Sequence, residues 1–328
     1  MTQFKPLAAI CLSSLAALIS LLAASCAAPV VSYHPSGLPS RIAYSSDPGN
    51  VLHIYTIKPD GTDNRTTSTD DEVYDGMPSW SPDGTKIAFD SNQSYKYEIW
   101  TMSEDGSNRV KITDEKARNF APRWSADGSK IVYVGERRSE EGANQLEIFS
   151  VNADGSDARQ LTDSSGWTGE AFEEGPKERV RWNSVPTWSP DGSRILFSTN
   201  RDAGPSPILY TMNPDGSDQR KFGLFFDVDG TEPDWSPVTN QIVFVRGSAA
   251  KGEIWVMDGS SLFPLLTAKK LTDNIDNNGS PVWSPDGKQI AFVSDTYGSD
   301  DIFIMNADGS NVRRLTYDAA NDRHPTWR

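Results

Sequence analysis

Cysteine and histidine are scarce in this sequence, and their scarcity excludes two kinds of site. Both cysteines, Cys11 and Cys26, lie in the first 26 residues, so the rest of the chain can form no internal disulfide. The three histidines are His34, His53 and His324, which are too few for a histidine-rich metal site. We therefore expect a domain stabilised by packing, with neither a metal site nor a cofactor.

Positive charge is also in short supply. The chain has 31 Lys and Arg residues against 45 Asp and Glu residues, which gives a formal net charge of -14. Proteins that bind nucleic acid present a basic stripe to the phosphates, and this sequence contains none. The composition therefore predicts no nucleic-acid binding. The acidity favours solubility, with an acidic docking surface as the alternative.

Long apolar runs are absent except near the N-terminus. Lys5 precedes an uncharged apolar run from Leu7 to Leu22, which is short for a membrane span. Three small residues then lead to Cys26. This order of charged, apolar and small residues predicts a cleaved export signal.

The small residues before Cys26 resemble a bacterial lipoprotein box, although the Leu that this family places three residues before the Cys is Ala23 here. The resemblance implies that residues 1–25 are removed and that Cys26 carries lipid, which would anchor the protein to a membrane, facing the periplasm or the cell exterior. The alternative is an ordinary cleaved signal. Residues 26–40 contain three prolines and suit a flexible tether, so we expect the folded domain to span 41–328.

A short phrase, Pro-x-Trp, recurs through the rest of the chain and sets its organisation. Successive copies are 44 to 64 residues apart. The phrase occurs six times, and its tryptophans are Trp80, Trp124, Trp188, Trp235, Trp283 and Trp327.

Each repeat unit reads as four short strands. After the first Pro-x-Trp phrase, Ser81–Gly84 has the Ser-Pro-Asp-Gly order of a type I turn. A β-branched and aromatic run follows from Lys86, another follows from Glu98, and a short fourth run ends in Ile-Thr. The same order in the other units predicts a four-stranded antiparallel meander in each.

The number and connection of the units predict a propeller. One four-stranded sheet cannot bury both of its faces, so the units must stack, and a period in the mid-forties is typical of propeller blades. The chain enters at Arg41 with a second-strand phrase and stops after a first-strand phrase, His324–Trp327. We therefore predict an all-β, six-bladed β-propeller of four-stranded antiparallel blades, closed by the C-terminal strand joining the N-terminal blade.

The repeat W-S-P-D-G-x-x-I-A-F, followed by I-x-x-M-x-x-D-G-S and then L-T, resembles that of TolB-type propellers, a WD-repeat-like family, over residues 41–328. The resemblance implies the propeller fold. TolB proper has an additional N-terminal α/β domain and works with the peptidoglycan-associated lipoprotein. The short stretch ahead of Arg41 has no room for that domain, so we do not carry this partner over.

Similar propellers precede the catalytic domain of prolyl oligopeptidase-like enzymes. A hydrolase of that kind would carry a G-x-S-x-G elbow, and this sequence has none. We therefore expect that the protein is not an enzyme.

Polar residues recur three positions before the proline of the repeated phrase. If they ring the mouth of a channel, their carboxylates and amides could hold a cation or a polar ligand. The alternative is that they cap turns through their own backbone. The candidate binding residues are Asp75, Asn119, Asn183, Asn278 and Asp322.

The longest connection, between Asp163 and Val185, is a second candidate for binding. It contains Trp167, Phe172 and Trp182 among charged residues, a composition that suits an interface. The alternative is that the loop folds back and buries these aromatic residues on its own propeller.

Two functions remain open at this stage. The first is a non-catalytic, monomeric lipoprotein of the cell envelope that binds a protein partner or another ligand. The alternative is a carbohydrate-binding or carbohydrate-active propeller, a lyase or hydrolase, in which the aromatic residues stack on a glycan.

Overall fold

The computed structural model describes residues 38–328 except 69, 71, 115–116, 139–143, 166–180, 203–205, 225–226, 249–250 and 274–275. The predicted signal peptide, the predicted lipid site Cys26, most of the tether, and Trp167 and Phe172 lie outside these residues. Within them, no helix has the length and apolar character needed to cross a membrane.

The described chain is almost entirely β-structure, and its strands follow one another in repeat units. The first unit contains β1 (Ile42–Ser46), β2 (His53–Ile57) and β3 (Arg65–Thr66). The second contains β4 (Asp75–Trp80), β5 (Lys86–Ser91), β6 (Glu98–Ser103) and β7 (Val110–Lys111). The third contains β8 (Asn119–Trp124), β9 (Lys130–Arg138), β10 (Asn144–Asn152) and β11 (Arg159–Gln160).

The second half of the chain continues the pattern. The fourth unit contains β12 (Arg181–Trp188), β13 (Ile195–Thr199), β14 (Ile208–Met212) and β15 (Arg220–Lys221). The fifth contains β16 (Thr231–Trp235), β17 (Gln241–Ser248), β18 (Lys251–Asp258), the one-turn helix α1 (Pro264–Thr267) and β19 (Lys269–Lys270). The sixth contains β20 (Asn278–Trp283), β21 (Gln289–Ser294), β22 (Asp301–Asn306) and β23 (Arg313–Arg314), and β24 (Asp322–Trp327) ends the chain.

Strands within a unit pair antiparallel in chain order, so each unit is a meander. The last strand, β24, pairs antiparallel with β1, with Ile42 opposite Trp327 and Ala43 opposite Thr326. The C-terminal strand thus supplies the first strand that the N-terminal unit lacks.

One pairing was not expected from the sequence. The third and fourth units form a single eight-stranded sheet, because β10 pairs in parallel with β12 at Gln145–Arg181 and Leu146–Trp182. Both strands are unusually long, at nine and eight residues, and their extra residues meet beyond the ordinary ends of the two meanders.

The antiparallel order also defines two ends of every unit. The turns between first and second strands and between third and fourth strands lie at one end, here called the turn face. The loops between second and third strands and the connections between units lie at the other end, here called the loop face.

The core repeats with the strands. In every unit, the strand that follows the Pro-x-Trp strand buries one large aromatic side chain near its centre. The surrounding sheets shield that side chain from water. These residues are Tyr44, Phe89, Tyr133, Phe197, Phe244 and Phe292, and each is at most 2% exposed.

The tryptophans of the repeated phrase join neighbouring units. Trp80 packs with Ala43 and Ile54 of the preceding unit, and Trp188 packs with Val132 of its preceding unit. The first strands also contact one another in the order β4–β8–β12–β16–β20–β24–β4. These first strands therefore surround the centre of the molecule.

Each first strand contains a bulge immediately before its proline. The residue before the proline has a left-handed backbone, with φ between 46° and 53°, and the pairing register shifts there. A left-handed backbone is costly for residues with a Cβ, and the six bulges turn these residues toward the centre. They are Met77, Ala121, Val185, Glu232, Ser280 and His324.

Candidate functional site: the central cavities

Among the described residues, two cavities lie between the first strands, and a larger one opens among the third to sixth units. The one at the turn face has a volume of about 200 Å³ and is lined by all six tryptophans of the Pro-x-Trp phrases. Of these indoles, Trp327 donates from Nε1 to Ser40 Oγ at 2.7 Å. Serines and prolines of the turns complete the lining, and Arg123 and Asp234 reach it from the first strands.

A narrower cavity, here called the constriction, lies deeper and has a volume of about 180 Å³. All six left-handed residues line it, which shows what the bulges position. Its ionisable lining residues are Arg123, Glu232, Asp234 and His324.

Burial shifts the pKa values of two of these groups, Asp234 and His324. Desolvation raises the pKa of Asp234 to about 6, against the opposing effects of the Trp283 backbone N–H and of Arg123. Desolvation also lowers the pKa of His324 to about 4, and Arg123 and Arg323 act in the same direction. At neutral pH the imidazole is therefore uncharged, while the carboxyl of Asp234 is ionised at a free-energy cost.

The third cavity, here called the mouth, opens at the loop face with a volume of about 1150 Å³. It shares Ser184, Val185 and Glu232 with the constriction, so the two cavities adjoin each other. Arg246 lines the mouth, forms an ion pair with Asp229 at 2.8 Å, and lies over the Trp255 ring at 5.1 Å. Its guanidinium is thereby held in one orientation.

The five polar residues predicted to ring the channel lie at or near the starts of the first strands, and none is more than 1% exposed. The structure brings only Asn278 to the mouth. A binding role for Asp75, Asn119, Asn183 and Asp322 therefore stays a prediction.

These residues form polar contacts that connect structural elements. Asn119 Nδ2 donates to Glu98 Oε2 of the preceding unit at 2.8 Å, and Asn183 Nδ2 donates to Glu147 Oε2 of its preceding unit at 2.9 Å. Such buried amide–carboxylate bonds fix one unit against the next.

The two aspartates of this group differ in their surroundings. Asp75 receives two bonds from Arg109, at 2.7 and 2.9 Å. Burial raises the pKa of Asp322 to about 6, and the carboxylates of Asp318 and Asp301 act in the same direction. Among the residues that the structure describes, no three His, Cys, Asp or Glu side chains are placed to hold a metal ion.

The sequence analysis named one aromatic residue of the mouth, Trp182, and named none of the charged residues of the constriction. Trp182 is half-buried, and it lines the mouth as a predicted binding residue would. Arg123 and Asp234 occupy the variable middle position of Pro-x-Trp, and Glu232 and His324 precede its proline. Charged residues at otherwise small or apolar repeat positions were the available signal.

Asp90 provides a test of how the buried acids respond to pH. This residue is 2% exposed, and burial raises its pKa to about 7, with Asp75 acting in the same direction. A carboxyl group with a raised folded pKa stabilises the fold below its unfolded pKa of about 4, and that contribution is lost as the pH rises through about 7. In thermal denaturation, Asp90→Asn should match wild type at pH 4 and exceed it by up to about 4 kcal/mol at pH 8.

Asp60→Asn is the control for Asp90→Asn. Asp60 is exposed, and the Thr62 hydroxyl and backbone N–H lower its pKa. Its contribution is present above the unfolded pKa and is lost as the pH falls, so any effect of this control must have the opposite pH trend. Identical pH profiles for wild type and Asp90→Asn would contradict the assignment.

A family model described as the TolB beta propeller domain matches residues 11–176 and 226–328. The chain belongs to the TolB β-propeller family. No curated protein matches this TolB-family chain.

Solved structures similar to the TolB-family chain include two TolB proteins. TolB from Acinetobacter baumannii is 21% identical with a TM-score of 0.67, over 88% of this chain and 66% of that protein. The putative TolB from Agrobacterium tumefaciens is 21% identical with a TM-score of 0.59, over 85% of this chain and 90% of that protein.

A structure named as that of an enzyme is also among the similar solved structures. An oligogalacturonate lyase in complex with manganese is 14% identical with a TM-score of 0.52, over 80% of this chain and 75% of that protein. At these identities the solved structures show that the TolB-family chain shares their fold, and nothing further.

Proposed function

We propose that the domain is a six-bladed propeller, closed on itself by β24, that acts as a non-catalytic binding platform. The pairing of β24 with β1 supports closure, and so do the contacts among the first strands. Closure would give the turn-face cavity and the constriction a rigid wall on every side, which suits preorganised binding.

The size of the mouth is the main support for our proposal that the ligand is a segment of a protein partner. Small-molecule sites are commonly about 300–1,000 Å³, whereas the mouth is about 1150 Å³ and widens from a narrower constriction. A cavity of this shape accommodates a loop or chain end that enters from the loop face.

The lining of the mouth supports the same interpretation. Trp182 supplies a half-buried aromatic surface, and Arg246 is preorganised by Asp229. Aromatic residues and arginines dominate the energetics of protein interfaces, particularly where they are held rigidly.

A glycan is the second candidate. The observation that favours it is again Trp182, because an aromatic ring at the rim of a polar cavity can stack on a sugar. Under this alternative, Asp229, Glu253 and Asn277 would bind hydroxyl groups around the ring.

We further propose that the protein is exported and anchored by lipid at Cys26, as a monomer facing the periplasm or the cell exterior. Its sequence supports this placement through the apolar run and the small residues before Cys26. The partner would then be a component of the cell envelope.

A photocrosslinking experiment in intact cells tests both proposals. A photoreactive residue at Ser206, which lies at the mouth, should capture one envelope protein, whereas the same residue at Asn108, on the turn face, should not. Trp182→Ala should remove the Ser206 product, and Cys26→Ser should move the protein out of the membrane fraction.

The possible results separate the candidates. Equal products from Ser206 and Asn108, or a Ser206 product that survives Trp182→Ala, would argue against partner binding at the mouth. Binding of a glycan array that depends on Trp182, without a protein product, would favour the alternative. Membrane retention of Cys26→Ser would contradict the lipid anchor.

A further inference from the structure

The constriction contains a cation that the fold leaves unpaired. Arg123 lies half-buried in its wall and donates from Nη1 to the carbonyl of its neighbour Pro122 at 3.1 Å. Among the described residues it forms no ion pair. A guanidinium withdrawn from bulk water without an ion-pair partner costs free energy. Desolvation lowers the pKa of Arg123, and the carboxylates of Asp234 and Glu232, which lie too far away for an ion pair, oppose this shift.

Two carboxylates lie in the same cavity, but other bonds hold them. Glu232 Oε2 accepts the backbone N–H of Ser280, and Asp234 Oδ2 accepts the backbone N–H of Trp283 at 2.9 Å. Both bonds tie the acids of β16 to the next strand, β20. Arg123 is on β8, and β12 separates it from β16, so opposite charges line different parts of one cavity wall.

This separation of charge restricts the kind of ligand that fits. A simple anion would gain Arg123 but would meet two carboxylates, and a simple cation would gain the carboxylates but would meet the guanidinium. A molecule with an anionic end and a cationic end satisfies all three groups. The neutral imidazole of His324 adds a hydrogen-bonding group without adding charge.

The volume limits the length of that molecule. About 180 Å³ is the space of about six water molecules, which corresponds to a ligand with few non-hydrogen atoms. The mouth and the turn-face cavity both adjoin the constriction, one on each side of it.

We propose that the constriction binds a small amino-acid-type zwitterion, with its carboxylate on Arg123 and its ammonium group on Glu232 and Asp234. This site goes beyond the proposed partner binding and does not depend on it. Charge-assisted bonds at both ends provide the affinity, and the spacing between the charged walls selects the length of the ligand.

The test uses three compounds with the same ends and increasing separation: glycine, β-alanine and 4-aminobutanoate. Isothermal titration calorimetry should detect saturable binding of at least one of them. Acetate and methylammonium, which each carry one end, should bind at least about ten-fold more weakly, because each loses a charge-assisted interaction.

Two variants locate the site. Arg123→Met and Glu232→Gln should each weaken the preferred compound by at least about ten-fold, and Arg159→Met, on exposed β11, should leave its binding unchanged. Arg123→Met should also keep or raise the melting temperature, since it removes an unpaired charge. Glu232→Gln keeps a carbonyl acceptor for Ser280 and provides a second test if the first variant folds poorly.

Three results would overturn the proposal. The first is that none of the three compounds binds. The second is that acetate or methylammonium binds as well as the preferred zwitterion. The third is that both variants keep wild-type affinity. Loss of partner capture at the mouth with intact zwitterion binding would refute only the proposed partner function, and the reverse result would refute only this site.

Discussion

Removal of residues 325–328 should lower the melting temperature by at least about 10 °C, which corresponds to a loss of at least about 5 kcal/mol. These residues pair with the edge of β1, where Arg41 and Arg328 exchange both backbone bonds at 3.0 and 2.9 Å. Without them, β1 becomes an edge strand with unpaired backbone groups beside a buried core.

The truncation also removes packing between the first and last units. Trp327 packs against a core cluster that includes Ile42 and Tyr44 of the first unit and Val282 of the sixth. The control is Trp327→Phe, which keeps most of the ring and loses the bond to Ser40. An unchanged melting temperature after the truncation would contradict closure by β24.

Neutralising Glu104 should also destabilise the junction between the two ends of the domain. The Glu104 carboxylate lies between two arginines, with Oε1 at 3.0 Å from Arg41 Nε and Oε2 at 2.6 Å from Arg328 Nη2. Both arginine side chains are at least 96% buried, and Arg328 also lies 4.2 Å above the Trp80 ring. Glu104→Gln therefore removes the anion that the two buried guanidiniums share, while Arg41 keeps its ion pair with Asp63 at 2.9 Å.

We expect Glu104→Gln to cost about 2–4 kcal/mol in chemical denaturation, below the upper range for buried pairs because water reaches Glu104. The exposed Glu72→Gln is the matched control and should have little effect. Arg328→Met should cost at least about 1 kcal/mol less in the Glu104→Gln background than in wild type, because the pair is coupled. Additive effects would show that Glu104 does not act through Arg328.

The all-β repeat architecture could be predicted from the sequence because each unit repeats the same local sequence pattern. Ser81–Gly84 and the equivalent segments of the other units encode turns. The strands that follow these turns alternate in the direction of their side chains, which places Phe89 and its equivalents in the core. Local turn chemistry and the alternation of strands need no distant information. Even the pairing of Arg41 with the chain end follows from counting incomplete units.

The candidate site was harder to predict for a physical reason. Asn119 and Asn183 look like ligands in the sequence because they are polar and recur, but their partners, Glu98 and Glu147, lie in preceding units. Only the packing of one unit on the next shows that these polar groups bond within the protein. The parallel pairing of β10 and β12 has the same origin, since it depends on where two long strands meet.

The sequence by itself determined the meanders, their order and the tryptophans between them, because turns, strand period and repetition act over short distances. The tertiary structure decided which side chains face the centre. The packing of the first strands on one another brings Arg123, Glu232 and Asp234 from distant parts of the chain into one cavity, where the cation forms no ion pair with either carboxylate. That separation, which no local pattern encodes, gives the constriction its ligand chemistry.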